Sequence, residues 1–191
     1  MSPLHWTSLP GWYDWVSGTK EMVARFPDGS RFCETGLYLG RSVCALAAEI
    51  AHQGKDIAVV GVDTCRGTGV ENGNDNHGDA VTNGRGTFAG ELHRNVIGCG
   101  AADRVQILIS DSVAAANLFP DEWFDWVNLD SSHEYAHVKM EIEAWLPKVR
   151  KGGWITGDDY CVVWPEVVKA VNELLPTASP WSHDSWRWIK R

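Results

Sequence analysis

An α/β protein built on a doubly wound, mostly parallel sheet is what this sequence predicts, and three observations predict it. Short apolar runs alternate with amphipathic helical patterns at least five times along the 191 residues. The run IAVVGV at 57–62 lacks the polar alternation of a half-exposed strand, which suits a strand covered on both faces. Each of the five runs also ends in an acidic residue, so one rim of the sheet collects carboxylates. In such sheets, ligands bind beyond the carboxyl ends of the strands.

The elements follow in order. Trp12, Trp15, Val16, Met22, Val23 and Phe26 recur at helical spacing, so a helix spans 12–26 and the turn PDGS ends it. RFCE at 31–34 is the first strand and GLYLGRS a glycine-bearing loop; Val43, Leu46, Ala47 and Ile50 mark the buried stripe of the next helix. The second strand is 57–62. Residues 64–86 are rich in Gly, Asn and Asp and read as a long exposed loop. Its ENGNDNHGD portion lacks the ligand spacing and closing glutamate of an EF-hand.

Phe88, Leu92 and Val96 outline a helix, VQILI at 105–109 a strand, and FDWVNLD at 124–130 another. Val138, Ile142, Trp145 and Val149 form one helical face, with Ser131 or Ser132 as cap and KVRKGG as its close. WITG at 154–157 is the fifth strand. Pro165 opens a helix burying Val167, Val168, Val171, Leu174 and Leu175, and WSHDSWRWIKR forms a short hairpin. A single domain over 1–191 follows, with 1–29 as an N-terminal helical segment.

Composition narrows the function. With 44% hydrophobic and 22% charged residues the chain is globular, and its net charge of -8 opposes attraction to nucleic acid. No stretch suits a membrane span or an export signal, so a cytoplasmic location without membrane association is expected. The five scattered cysteines are read as reduced thiols. The eleven tryptophans, three of them within the first fifteen residues, suit core packing, a pocket roof or a dimer face.

The strand ends carry the candidate chemistry. Gly36 and Gly40 allow a sharp turn and close approach of a ligand, and Asp63 is placed to accept hydrogen bonds from a ribose. Asp130, Asp158 and Asp159 leave neighbouring strands and converge, which calls for a cation between them; oxygen ligands favour magnesium or calcium over zinc. His133, three residues beyond Asp130, is a candidate general base. His137 is read as facing solvent, and Tyr135 and Tyr160 as flanking the pocket.

The segments ETGLYLGRS, GVDT, FDWVNLDSSHEY and GGWITGDDY resemble the class I S-adenosylmethionine-dependent methyltransferases, especially the small-molecule O-methyltransferases, over roughly residues 30 to 160. The resemblance implies a Rossmann-like sheet of about seven strands, mostly parallel, with a C-terminal antiparallel hairpin. It also implies that Glu34, Gly36, Tyr38, Gly40 and Ser42 hold the methionine end of adenosylmethionine, Asp63 the ribose, and Asp111 with Ser112 the adenine. Asp130, Asp158 and Asp159 match the metal ligands of catechol-type and macrolide-sugar O-methyltransferases, where Asp130 and His133 serve catalysis. Tyr38 departs from the pattern, since glycine is common at that position.

The expected activity is methyl transfer to a hydroxyl of a small molecule, assisted by a divalent metal, magnesium for preference. The alternatives are a metal-independent methyltransferase, a nicotinamide-dependent reductase and a non-catalytic cofactor-binding protein. With about thirty residues before the first strand, the pocket wall must come from the N-terminal helix, the long loop or a second subunit in a homodimer.

Overall fold

The computed structural model describes residues 4–68 and 77–191. Strand β1 (Arg31–Thr35) is flanked on one side by β2 (Ala58–Asp63) and β3 (Val105–Ile109). On its other side lie, in order, β4 (Phe124–Leu129), β5 (Val149–Gly157), β7 (Trp186–Ile189) and β6 (Ser179–Pro180). Strands β1 to β5 pair in parallel, while β5–β7 and β7–β6 are antiparallel. This is the expected Rossmann-like seven-stranded sheet with a C-terminal antiparallel pair. Strand order reverses between β1 and β4, the point at which such sheets open a crevice.

Period-two alternation sends successive strand residues to opposite faces. Phe32, Val59, Trp126 and Trp154 pack beneath α1 (Val16–Arg25), α2 (Arg41–His52) and α4 (Ala89–Gly98). Cys33, Val62, Val127 and Ile155 pack beneath α5 (Ser112–Ala116), α6 (Tyr135–Trp145) and α7 (Pro165–Leu174). All six residues of β4 are buried, including Asp125 and Asn128. Asp125 is balanced by Arg150 at 2.5 Å and the Arg31 amide at 2.8 Å, while Thr156 donates to Asn128 Oδ1 at 2.7 Å.

Five expectations need correction. The first helix starts at Val16 rather than Trp12, with Trp15 as its N-cap and residues 12–15 outside the helix. The carbonyls of Leu9 and Gly11 instead accept from Arg41, which holds this segment against α2. Within 64–86, Gly78–Asn83 forms a helix, α3; only Ala80 in it is buried, so it left no apolar period. Residues 69–76, the centre of that expected loop and most of ENGNDNHGD, lie outside the described residues.

Val149 and the KGG that follows Arg150 belong to β5, not to the end of α6; the Arg150–Asp125 pair and the Phe124–Val149 register commit them to the sheet. Neither Ser131 nor Ser132 caps α6. Its first amide, on Tyr135, donates to Glu166 of α7 at 2.8 Å. In α7, Ala170 takes part in the buried face and Val168 is half-buried. Among the described residues, no helix is long and apolar enough to cross a membrane.

Phe26 closes α1 onto the sheet, fully buried with its ring edge-on to Phe32 (5.5 Å) and Trp154 (5.4 Å). Phe26→Ala is expected to cost about 3–5 kcal/mol in denaturant unfolding. A loss below about 1 kcal/mol would show that α1 contributes little to the fold.

Candidate active site

The tips of β1 and β4 touch. Gly36 follows β1 with φ 78°, and a β-carbon there would stand 1.7 Å from the carbonyl oxygen of Asp130, so only glycine fits. Asp130 N–H donates to Thr35 O at 3.1 Å, and Gly36 N–H to Val62 O at 2.9 Å. Two cavities of about 240 Å³ each open on this rim, and Gly36 lines both. A larger groove of about 690 Å³ opens at the opposite ends of the strands, lined by Arg31, Asp56, Arg104 and Trp123. It holds none of the residues singled out from the sequence.

Tyr38, Ser42, Asp130, His133, Asp158 and Asp159 line the first cavity, under Trp12 and Trp164. Asp63, Asp111 and Ser112 line the second, with Ser131 and His137. Two of the residues expected to hold the cofactor line neither. Gly40 (φ 88°) turns the chain into α2 and sits so close to Leu92 that a β-carbon would lie 2.9 Å from its side chain. Glu34 lies behind the wall and reaches it through Ser42.

Tyr38 has the left-handed backbone (φ 47°) that glycine usually supplies. Its ring packs edge-on to His77 (4.9 Å) and Phe88 (5.6 Å), and Asp63 Oδ2 accepts its amide at 2.9 Å and that of Leu37 at 2.7 Å. Asp63 Oδ1 accepts from Cys65 N–H at 2.6 Å. Asp63 therefore clamps the loop between β1 and α2 as well as lining the second cavity. Asp111 caps α5 through Ala114 N–H at 2.9 Å.

Asp130, His133 and Asp159 bring one ligand atom each within 4.8 Å of one another. His133 Nε2 lies 2.7 Å from Asp159 Oδ2, and its ring stacks on Trp164 at 4.0 Å. Asp159 also has a left-handed backbone (φ 61°), a conformation that commonly marks functional positions. Asp158 stands outside this group and accepts from Ser185 Oγ at 3.0 Å. Burial, then the charges of Asp158 and Asp159, push the Asp130 carboxyl well above the usual range; burial and Asp159 raise Asp158 to about 6. A cation at this point would relieve that repulsion.

The structure moves three aromatic residues from their expected places. Tyr135 and Tyr160 turn away to α7, bonding Glu173 and Asn172. His137 faces the second cavity rather than solvent, with Nε2 3.2 Å from Ser131 and 3.3 Å from Ser112. Glu141, fully buried on α6, was missed. Its signal was an acid within the buried stripe of Val138, Ile142 and Trp145, where a charge needs partners.

Glu34 is fully buried; Ser42 Oγ donates to its Oε1 at 2.5 Å and its Oε2 has no partner. Burial raises its pKa from 4.5 to about 8, the Ser42 bond opposing and Asp158 reinforcing the shift. The folded chain thus keeps a proton that the unfolded chain has lost, and stability falls as pH rises from about 4.5 to about 8. Glu34→Gln is expected to flatten this slope and to raise the thermal midpoint of the ligand-free protein most at the alkaline end. An unchanged slope in calorimetry would contradict the buried-acid assignment.

Comparison with known proteins agrees with this fold. The family model described as a methyltransferase domain matches residues 33–160. No curated protein sequence matches the chain. The O-methyltransferase NovP superposes with a TM-score of 0.67 at 19% identity, over 92% of this chain and 78% of that one. An adenosylmethionine-dependent O-methyltransferase from Thermotoga maritima gives 0.59 at 16%, over 92% and 64%. CalS11, a TDP-rhamnose 3'-O-methyltransferase of calicheamicin biosynthesis, gives 0.55 at 18%, over 91% and 76%. These solved structures share the fold, and the matched segment runs from β1 through the acidic pair after β5. The chain belongs to the methyltransferase-domain family.

Proposed function

We propose that the protein transfers a methyl group from S-adenosylmethionine to a hydroxyl of a small molecule, with a divalent cation at Asp130 and Asp159 and His133 as the base. The observation that carries this reading is the pair of cavities that share Gly36 as a wall, one with a carboxylate–imidazole cluster and the other with polar groups suited to a nucleoside.

The residues present fit the donor. The unpartnered Oε2 of buried Glu34 suits the ammonium of a methionine moiety, because an amine beside it would satisfy an acceptor that is otherwise costly to bury. Asp63, at the tip of β2, keeps lone pairs for ribose hydroxyls in addition to the loop amides it accepts. When bound, adenosylmethionine supplies an electrophilic methyl group.

The site also fits a divalent ion: the carboxylates of Asp130 and Asp159 converge, and Asp158 stands close behind. Such an ion would acidify an acceptor hydroxyl and orient it. Trp164 fixes the plane of His133, and Asp159 its rotation, so the imidazole is held to receive a proton at this wall of the cavity. The O-methyltransferase neighbours favour oxygen as the methylated atom.

The 2.7 Å contact between His133 and Asp159 favours a second reading, a metal-independent enzyme in which Asp159 only orients the base. Two measurements separate the cases. Calorimetric titration should show adenosylmethionine binding to the wild type and weaker binding to Glu34→Ala; absence of binding to the wild type would overturn the proposal. In a turnover assay on a catechol acceptor, His133→Asn should lower kcat about 100- to 10,000-fold. Chelation should abolish turnover and magnesium restore it, whereas full activity after chelation would select the metal-independent reading.

A further inference from the structure

The two edges of the sheet are finished differently. At one, β6 is two residues long and contains Pro180, which has no N–H to offer another strand. At the other, β3 runs for five residues, VQILI, with neither a proline nor a charged side chain. Natural sheets blunt their edges with those residue types, so a bare apolar edge is a template for a further strand.

The bonds at the two ends of β3 show which backbone groups are left over. Val59 N–H donates to Arg104 O at 2.8 Å, and Ser110 N–H donates to Asp63 O at 3.0 Å. They set the phase of the parallel ladder: even-numbered residues of β3 bond to β2, while Val105, Ile107 and Ile109 turn their backbone groups outward. Ala101 O takes the Val105 N–H at 3.0 Å. The N–H and C=O of Ile107 and Ile109, and the C=O of Val105, have no partner among the described residues.

We propose that β3 is the contact of a homodimer, in which it pairs antiparallel with β3 of a second copy about a twofold axis at Ile107. Ile107 then exchanges both of its backbone hydrogen bonds with the partner's Ile107, and Ile109 stands opposite the partner's Val105. A second copy fits because the free groups map onto themselves under that rotation, which is what an isologous contact requires.

The side chains agree with the same axis. Ile109 shares the α4 face of the sheet with Val105 and Ile107 by alternation, and it is 59% exposed. Ile97, 54% exposed, ends α4 beside the start of β3, where Ala101 bonds to both Val96 and Val105. Antiparallel pairing carries the partner's Ile109 to that end, so isoleucines exposed at opposite ends of the edge cover each other. On the other face, Arg104 lies beside Gln106, and Asp111 caps α5 beyond the far end of the strand. The pairing brings the guanidinium of one copy toward the carboxylate of the other, a complementarity that an unrelated apolar strand would lack.

Sedimentation equilibrium of the full-length protein is expected to give twice the mass of one chain, with amide hydrogen exchange at Ile107 and Ile109 slowing as the dimer forms. Ile109→Lys sets two ammonium groups into the contact and should weaken association at least about tenfold. Ile109→Pro removes an N–H that β2 does not use and should have the same effect. Ser179→Lys, on the opposite edge, should leave association unchanged. A monomer at every concentration would overturn the proposal, as would a dimer whose Ile107 and Ile109 amides exchange as fast as in the monomer. A monomer with those amides protected would put another segment of the same chain on the edge, and would overturn it equally. Should Ile109→Lys fail to fold, Ile109→Pro and exchange in the wild type decide.

Discussion

The contact on which the rest depends is the backbone seam between Gly36 and Asp130. Two parallel strands that part at a topological switch point normally leave a gap at their carboxyl ends. Here the gap closes at one spot, because Gly36 lets the carbonyl of Asp130 approach to a distance no β-carbon could tolerate. The seam divides the crevice into two cavities that share one residue. A ligand long enough to fill both must cross the seam, and the group it presents at the crossing lies next to Asp130.

Carboxylates are then placed by depth. Glu34 lies within β1 and is fully buried, so it stays protonated unless a cation satisfies it. Asp130 lies at the strand tip and is raised by burial and by its acidic neighbours, while Asp159 lies further out against His133. Glu141 supports the seam from beneath through Thr35. Acids buried this closely destabilise the empty fold, and a polar site held ready before its ligand arrives carries such a cost.

The sheet was legible in the sequence because its strands are short, mainly apolar runs and its helices carry clear stripes. VQILI became β3 residue for residue, and the strand-tip acids of four of the five strands did gather on one rim, Glu34 alone lying behind it. The misreadings share a cause: interactions distant in sequence override local pattern. Trp12 fits the periodicity of α1, yet Arg41 draws the preceding backbone out of the helix. Val149 fits the stripe of α6, yet pairing with Phe124 claims it for β5. The left-handed backbone of Tyr38 and the inward turn of His137 depend on packing and on serine partners that spacing alone does not reveal.

The most direct test is a crystal structure with S-adenosylhomocysteine and manganese, using the anomalous signal of the metal. The account predicts a nucleoside across the Gly36 seam, its amino-acid ammonium against Glu34, and an anomalous peak between Asp130 and Asp159. A nucleoside in the groove at the opposite ends of the strands, or a metal peak remote from Asp130, would contradict it.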